Sequence, residues 1–199
     1  MLLMVDFRMT FLRNSLLALT TPLLLMQVTP ALAEPLVIKN KFTPSNSPIT
    51  KPEVVNAQNA WCNALVDISK TNDTKGKAAA TALAKKVIDS AYGYQMGGVL
   101  FKPTLAKAPQ TFRTTSDGAL SYFVGGNPAF PSDKGFALMG WKQCTVKNSA
   151  LFISADSATS MGHVSFLNKD GKTTTVDKTW TFVKDPSGNL RIVVHHSSL

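Results

Sequence analysis

The chain has 199 residues, 44% of them hydrophobic and 17% charged, with a formal net charge of +9. That length suits one domain with extensions, and the apolar share supports a packed core, which excludes wholesale disorder. The lysines are scattered, and after Arg13 only Arg113 and Arg191 carry a guanidinium. No basic cluster with stacking aromatics speaks for nucleic acid, and a diffuse positive field suits a small anion better.

Arg8 and Arg13 precede an apolar run from Leu16 to Met26, followed by Ala31-Leu-Ala33. A basic start, a short apolar stretch and a small-x-small site predict a secretory signal over 1–33, cleaved after Ala33. The run is too short to span a bilayer of about 30 Å. The expected location is therefore periplasmic or secreted, with no stable membrane anchor after cleavage. In such a compartment Cys62 and Cys144 are either a disulfide or two buried thiols, and spacing does not choose between them.

Residues 34–52 carry four prolines and predict an extended leader. Pro52-Glu53 opens a helix whose apolar stripe is Val54, Ala57, Trp61, Ala64, Leu65 and Ile68. A second helix, about 75–91, has the stripe Ala80, Leu83, Ala84, Val87, Ile88 and Ala91 and ends at Tyr92-Gly93. Beyond Gly98 the pattern predicts strands at 99–102, 120–124, 136–141, 144–154, 158–167, 173–183 and 190–196. Helices first and an antiparallel meander after predict an α+β fold, a curved sheet wrapped around N-terminal helices, as one domain over 53–199.

Common enzyme signatures are missing: no P-loop, no G-x-S-x-G and no H-E-x-x-H. Zinc would need His163, one of His195 and His196, and a carboxylate, and nothing in their spacing suggests this. On the last strand, alternation puts Arg191, Val193, His195 and Ser197 on one face and Ile192, Val194, His196 and Ser198 on the other. Thr104 after one strand and Tyr122 in an apolar stretch are further hydroxyl candidates.

Val99-Leu-Phe-Lys-Pro-Thr104, Gly118-Ala-Leu-Ser-Tyr-Phe-Val-Gly-Gly-Asn127, Asp133-Lys-Gly-Phe136, Ser160-Met-Gly162 and Leu190-Arg-Ile-Val-Val-His-His-Ser-Ser-Leu199 occur in that order. Together they make the chain resemble the iota-class carbonic anhydrases, a family with a nuclear-transport-factor-2-like cone fold related to the kinase association domain. The resemblance implies a catalytic pocket of Thr104, Tyr122, His195 and Ser197 acting on CO2 and bicarbonate. It implies no cofactor, with zinc or manganese left open, and an ending that continues beyond Leu199 into Pro and an aromatic. On this reading the hydroxyls position water and bicarbonate, His195 takes the proton near its ordinary pKa of about 6.5, and Phe101, Phe123 and Val193 line the CO2 side.

Two other readings use the same fold. An isomerase or cyclase would need a buried carboxylate base, for which Asp177 is the candidate among acids otherwise in turns. A non-catalytic oligomerisation module would use an exposed sheet face. The Thr-rich strand Thr173–Thr181 also suits a homodimer through the sheet, which does not exclude catalysis.

Overall fold

Thr50 caps the first helix, α1 (Lys51–Ala91), through a reciprocal box in which its hydroxyl accepts from the Glu53 backbone and the Glu53 carboxylate accepts from the Thr50 backbone. The computed structural model describes Ile38 and residues 47–199; the expected signal sequence and most of the leader lie outside the described residues. α1 kinks at Gly76, where φ 81° and ψ 171° require a residue without Cβ strain, so the two expected helices meet end to end. Val54, Trp61, Leu65, Ile68, Ala80, Ala84 and Ile88 are buried as their spacing predicts. Gln58 joins them by bonding the side chains of Asn148 and Ser160.

The strands are β1 (Leu100–Lys102), β2 (Trp141–Ile153), β3 (Ser157–Asn168), β4 (Thr173–Lys184) and β5 (Leu190–Ser198), in sheet order β1-β5-β4-β3-β2. β1 runs parallel to β5 and the other pairs are antiparallel. The inner face buries Val164, Phe166, Val176, Trp180, Phe182 and Ile192 against α1, which is the expected α+β arrangement. Among the described residues no helix is long and apolar enough to cross a membrane.

Two expected strands are not strands. Residues 120–124 belong to a helix, α2 (Ser116–Val124), capped by Thr115, whose hydroxyl accepts from Gly118 N–H, with Asp117 in its first turn. Tyr, Phe and Val favour strands in general, but here Ala119, Tyr122 and Phe123 recur at helical spacing and all are buried. Residues Phe136–Leu138 form a single 3-10 turn between two positive-φ glycines, Gly135 and Gly140, and β2 begins only at Trp141.

Cys62 on α1 and Cys144 on β2 are joined in a disulfide, their Cα atoms 5.2 Å apart and 82 residues apart in sequence. Replacing both with Ala is expected to cost about 2–4 kcal/mol, because the long loop it closes would regain its unfolded freedom. Urea unfolding of the double variant measures this; an unchanged midpoint would mean the bond does not constrain the unfolded chain.

Gly162 allows β2 and β3 to approach where β2 bulges between Asn148 and Ala150. A Cβ there would sit 2.2 Å from the Lys147 carbonyl oxygen and 2.8 Å from Asn148 Cα. Gly162→Ala must therefore push backbone apart, and a loss of about 1–3 kcal/mol is expected in the same unfolding experiment.

Candidate active site

β5 does not alternate cleanly. Thr181 of β4 pairs with Val194, but the next residue, Phe182, pairs with Ile192, so Val193 is an extra residue in β5. The bulge brings Ile192 and His195, three residues apart, to the same inner face, and Ser197 follows on it. His195 and Ser197 thus share a face as the sequence predicts, and His196, on the opposite face, is exposed. Val193 is corrected: displaced by the bulge, it is half-buried beside Gly93 and outside the apolar cluster, not in a pocket wall.

Three hydroxyls meet at the end of β5. Thr104, in the turn after β1, donates to Ser197 Oγ at 2.5 Å. The Leu105 N–H, next in the chain to Thr104, points at Tyr122 Oη from 3.4 Å. Burial pushes the Tyr122 phenol well above its ordinary pKa, so it stays a neutral hydrogen-bond donor. Phe101 meets the Tyr122 ring edge-on at 5.7 Å and stacks with Phe123 at 5.9 Å, so both phenylalanines pack around the Tyr122 ring. Lys102 donates to the Ser197 carbonyl at 2.8 Å and holds the strand end in place.

His195 is fully enclosed, and both ring nitrogens are engaged. Nδ1 lies 2.8 Å from Tyr92 Oη, which also accepts from Trp61 Nε1 at 2.9 Å. Nε2 lies 2.8 Å from Lys178 Nζ. Phe101 stacks on one side of the imidazole at 4.4 Å, and Trp61 meets it edge-on at 5.5 Å. Burial holds the His195 pKa well below 6.5. A pKa near 6.5 is therefore corrected: burial disfavours the charged ring, and its two nitrogens are taken up by Tyr92 and Lys178.

Sequence reasoning missed Lys178 and Tyr92. Val176, Lys178, Trp180 and Phe182 fall on one period-2 face of β4, and all are buried. A lysine inside that apolar series was the available signal. Tyr92 was read only as a helix end, and the structure makes it the C-cap of α1 with its phenol in the core.

Burial lowers the Lys178 amine to about 7 from its ordinary 10.5. Between those values the unfolded chain binds more protons than the folded one, so stability rises with pH in that window. The thermal midpoint is expected to be higher at pH 9 than at pH 7; a flat or falling profile in calorimetry would contradict this.

The remaining acids and histidines lie elsewhere. Asp177 is exposed beside His163 at 3.4 Å, which removes it as a buried base. Asp133, expected in a turn, is instead buried in an ion pair with Arg113 at 2.6 Å and accepts from Ser121 at 2.8 Å. Among the described residues no group of three or more His, Cys, Asp or Glu could hold a metal ion.

The sequence profile of the family described as "Metal-independent carbonic anhydrase" matches residues 52–199. A metal-independent carbonic anhydrase from Nostoc sp. is 63% identical over 154 residues, covering 77% of this chain and 75% of its own length. The crystal structure of a cyanobacterial iota-carbonic anhydrase complexed with bicarbonate is 60% identical, with a TM-score of 0.76 over 84% of this chain and 98% of that one. A nuclear transport factor 2-like protein from Salmonella enterica is more distant, 16% identical with a TM-score of 0.42 over 74% of this chain and 89% of that one. By the match over 52–199 and the identity to its relatives, this chain belongs to the metal-independent carbonic anhydrase family.

Proposed function

We propose that this chain interconverts CO2 and bicarbonate at the cluster formed by Thr104, Tyr122 and Ser197. The observation that carries this is the hydroxyl network itself, with Thr104 bonded to Ser197 at 2.5 Å and the adjacent Leu105 N–H pointing at Tyr122 Oη from 3.4 Å. Hydration forms one C–O bond from water to CO2, moves a C=O π pair onto oxygen, and releases one proton. Oriented hydroxyl donors favour the transition state because they meet the negative charge where it develops. Phe101 and Phe123 offer CO2 an apolar surface beside them. The half-buried Thr104, in its turn, gives the proton a way toward solvent that does not pass through His195. A 60% identical relative complexed with bicarbonate supports the same anion here.

Thr104→Val keeps the side-chain shape and removes the hydroxyl. Stopped-flow CO2 hydration is expected to slow by about tenfold or more in this variant. A wild-type rate would remove Thr104 from the site.

Two further parts of the reading rest on sequence and surface. The 1–33 segment supports export to the periplasm or beyond. A homodimer through the outer sheet face is supported by the exposed Met161 of β3 and Phe152 of β2, with the Thr-rich β4 beside them. Sedimentation of the chain lacking 1–33 tests the second point: a dimer is expected, and a monomer at micromolar concentration would count against it.

A further inference from the structure

Lys178 is a buried amine that the hydroxyl cluster does not use. It projects inward from β4 directly opposite Ser197 in the strand register. Its Nζ lies 4.9 Å from the Trp61 ring centre, 5.4 Å from that of Trp180 and 5.9 Å from that of Phe166. Among the described residues no carboxylate pairs with it, and its polar contact is His195 Nε2 at 2.8 Å. A buried amine without a counter-charge must give up its proton or be left unpaired, either of which works against stability, and packing alone gives no reason for one here.

Counting donors fixes the direction of the chain. Trp61 Nε1 can only donate, so Tyr92 Oη accepts from it. If His195 Nδ1 also donated to Tyr92, the fully buried phenol would have no acceptor for its own proton among the described residues. Tyr92 therefore donates to Nδ1, the neutral imidazole carries its proton on Nε2, and that N–H donates to Lys178 as an uncharged amine. The lowered affinity of the buried amine for a proton agrees with this direction.

We propose that Lys178 is a positioning residue of the hydration site: by accepting from Nε2 it fixes the tautomer and orientation of His195. The imidazole in turn supports Phe101 by stacking at 4.4 Å, and Phe101 meets the ring of Tyr122. His195 also precedes Ser197 by two residues on the inner face of β5. A ring free to rotate would loosen both contacts at once, and small misplacements of reacting groups are costly in rate.

The inference rests on the assignment of Thr104, Tyr122 and Ser197, so the experiment includes that assignment. Lys178→Met keeps the length of the side chain and removes the amine. The expected result is a thermal midpoint equal to or above wild type, with kcat for CO2 hydration down about tenfold or more and KM within about twofold. A purely structural lysine would lower stability together with activity, and that result, or an unchanged kcat, overturns the proposal. Nitrogen NMR of wild-type His195 supplies a readout independent of any variant: the Nε2–H tautomer is expected at pH 8, and the Nδ1–H tautomer overturns it. Ser197→Ala in the same assay separates the two readings. If it stays active the hydroxyl assignment has failed, and if it is inactive while Lys178→Met is fully active only the role of Lys178 has failed.

Discussion

Tyr122→Phe and Ser197→Ala are each expected to reduce CO2 hydration by about a hundredfold or more while leaving the fold intact. The estimate follows from what one well-placed oxyanion donor contributes in other enzymes, about 10²–10³ in kcat. Phe at 122 keeps the stack on Phe136 at 5.5 Å and the edge contact with Phe101, so packing survives. What is lost is a single hydroxyl, whose own contribution to stability is about 1 kcal/mol. Ser197→Ala likewise removes the acceptor of the Thr104 bond without disturbing the pairing of Ser197 with Lys178 across β5 and β4. The measurement is stopped-flow hydration beside circular dichroism. Wild-type rates in the double variant would rule out the hydroxyl assignment.

The largest stability effect is expected at Asp133. Its carboxylate receives the Arg113 guanidinium at 2.6 and 3.3 Å and the Ser121 hydroxyl at 2.8 Å, all in the interior. Arg113 is closed over on another side by Phe130, 4.4 Å from ring centre to guanidinium carbon, and its backbone N–H donates to the Phe101 carbonyl. The pair therefore ties α2, which carries Tyr122, to the segment that lies against β1. Asp133→Ala would leave a buried guanidinium without its counter-charge, at a cost of about 3–5 kcal/mol. Replacing both partners, as in Arg113→Met with Asp133→Leu, is expected to recover much of that loss, since a buried ion pair is often no better than apolar packing. Thermal unfolding of the three variants checks the order; equal losses in the single and double variants would show that the charge left behind is not the cause.

The helices were legible because their apolar residues recur at three and four, and Gly76 marks the division between them. The antiparallel meander was legible because Asn168–Gly171 and Lys184–Gly188 carry turn residues between alternating runs. That His195 and Ser197 share a face followed from period-2 alternation, but which face is the inner one is decided by the packing of the sheet on α1. Val193 was misplaced because a bulge is set by the partner strand, and nothing local to β5 announces it. Residues 120–124 were misread because strand-favouring side chains outweighed a helical stripe of three residues, although Thr115 and Asp117 supplied a start signal. Tyr92 and Lys178 escaped notice for a different reason. Their meaning lies in contacts 103 and 17 residues away with the His195 ring, and only the closed fold supplies those. Asp133 and Arg113, 20 residues apart, are a similar case.

Hydroxyl groups are expected to carry the reaction without a metal. The direct measurement is stopped-flow CO2 hydration by the chain after exhaustive chelation, with bound metal quantified in the same sample. Undiminished hydration at negligible metal content is the expected result. Activity that disappears on chelation and returns with zinc or manganese would contradict it.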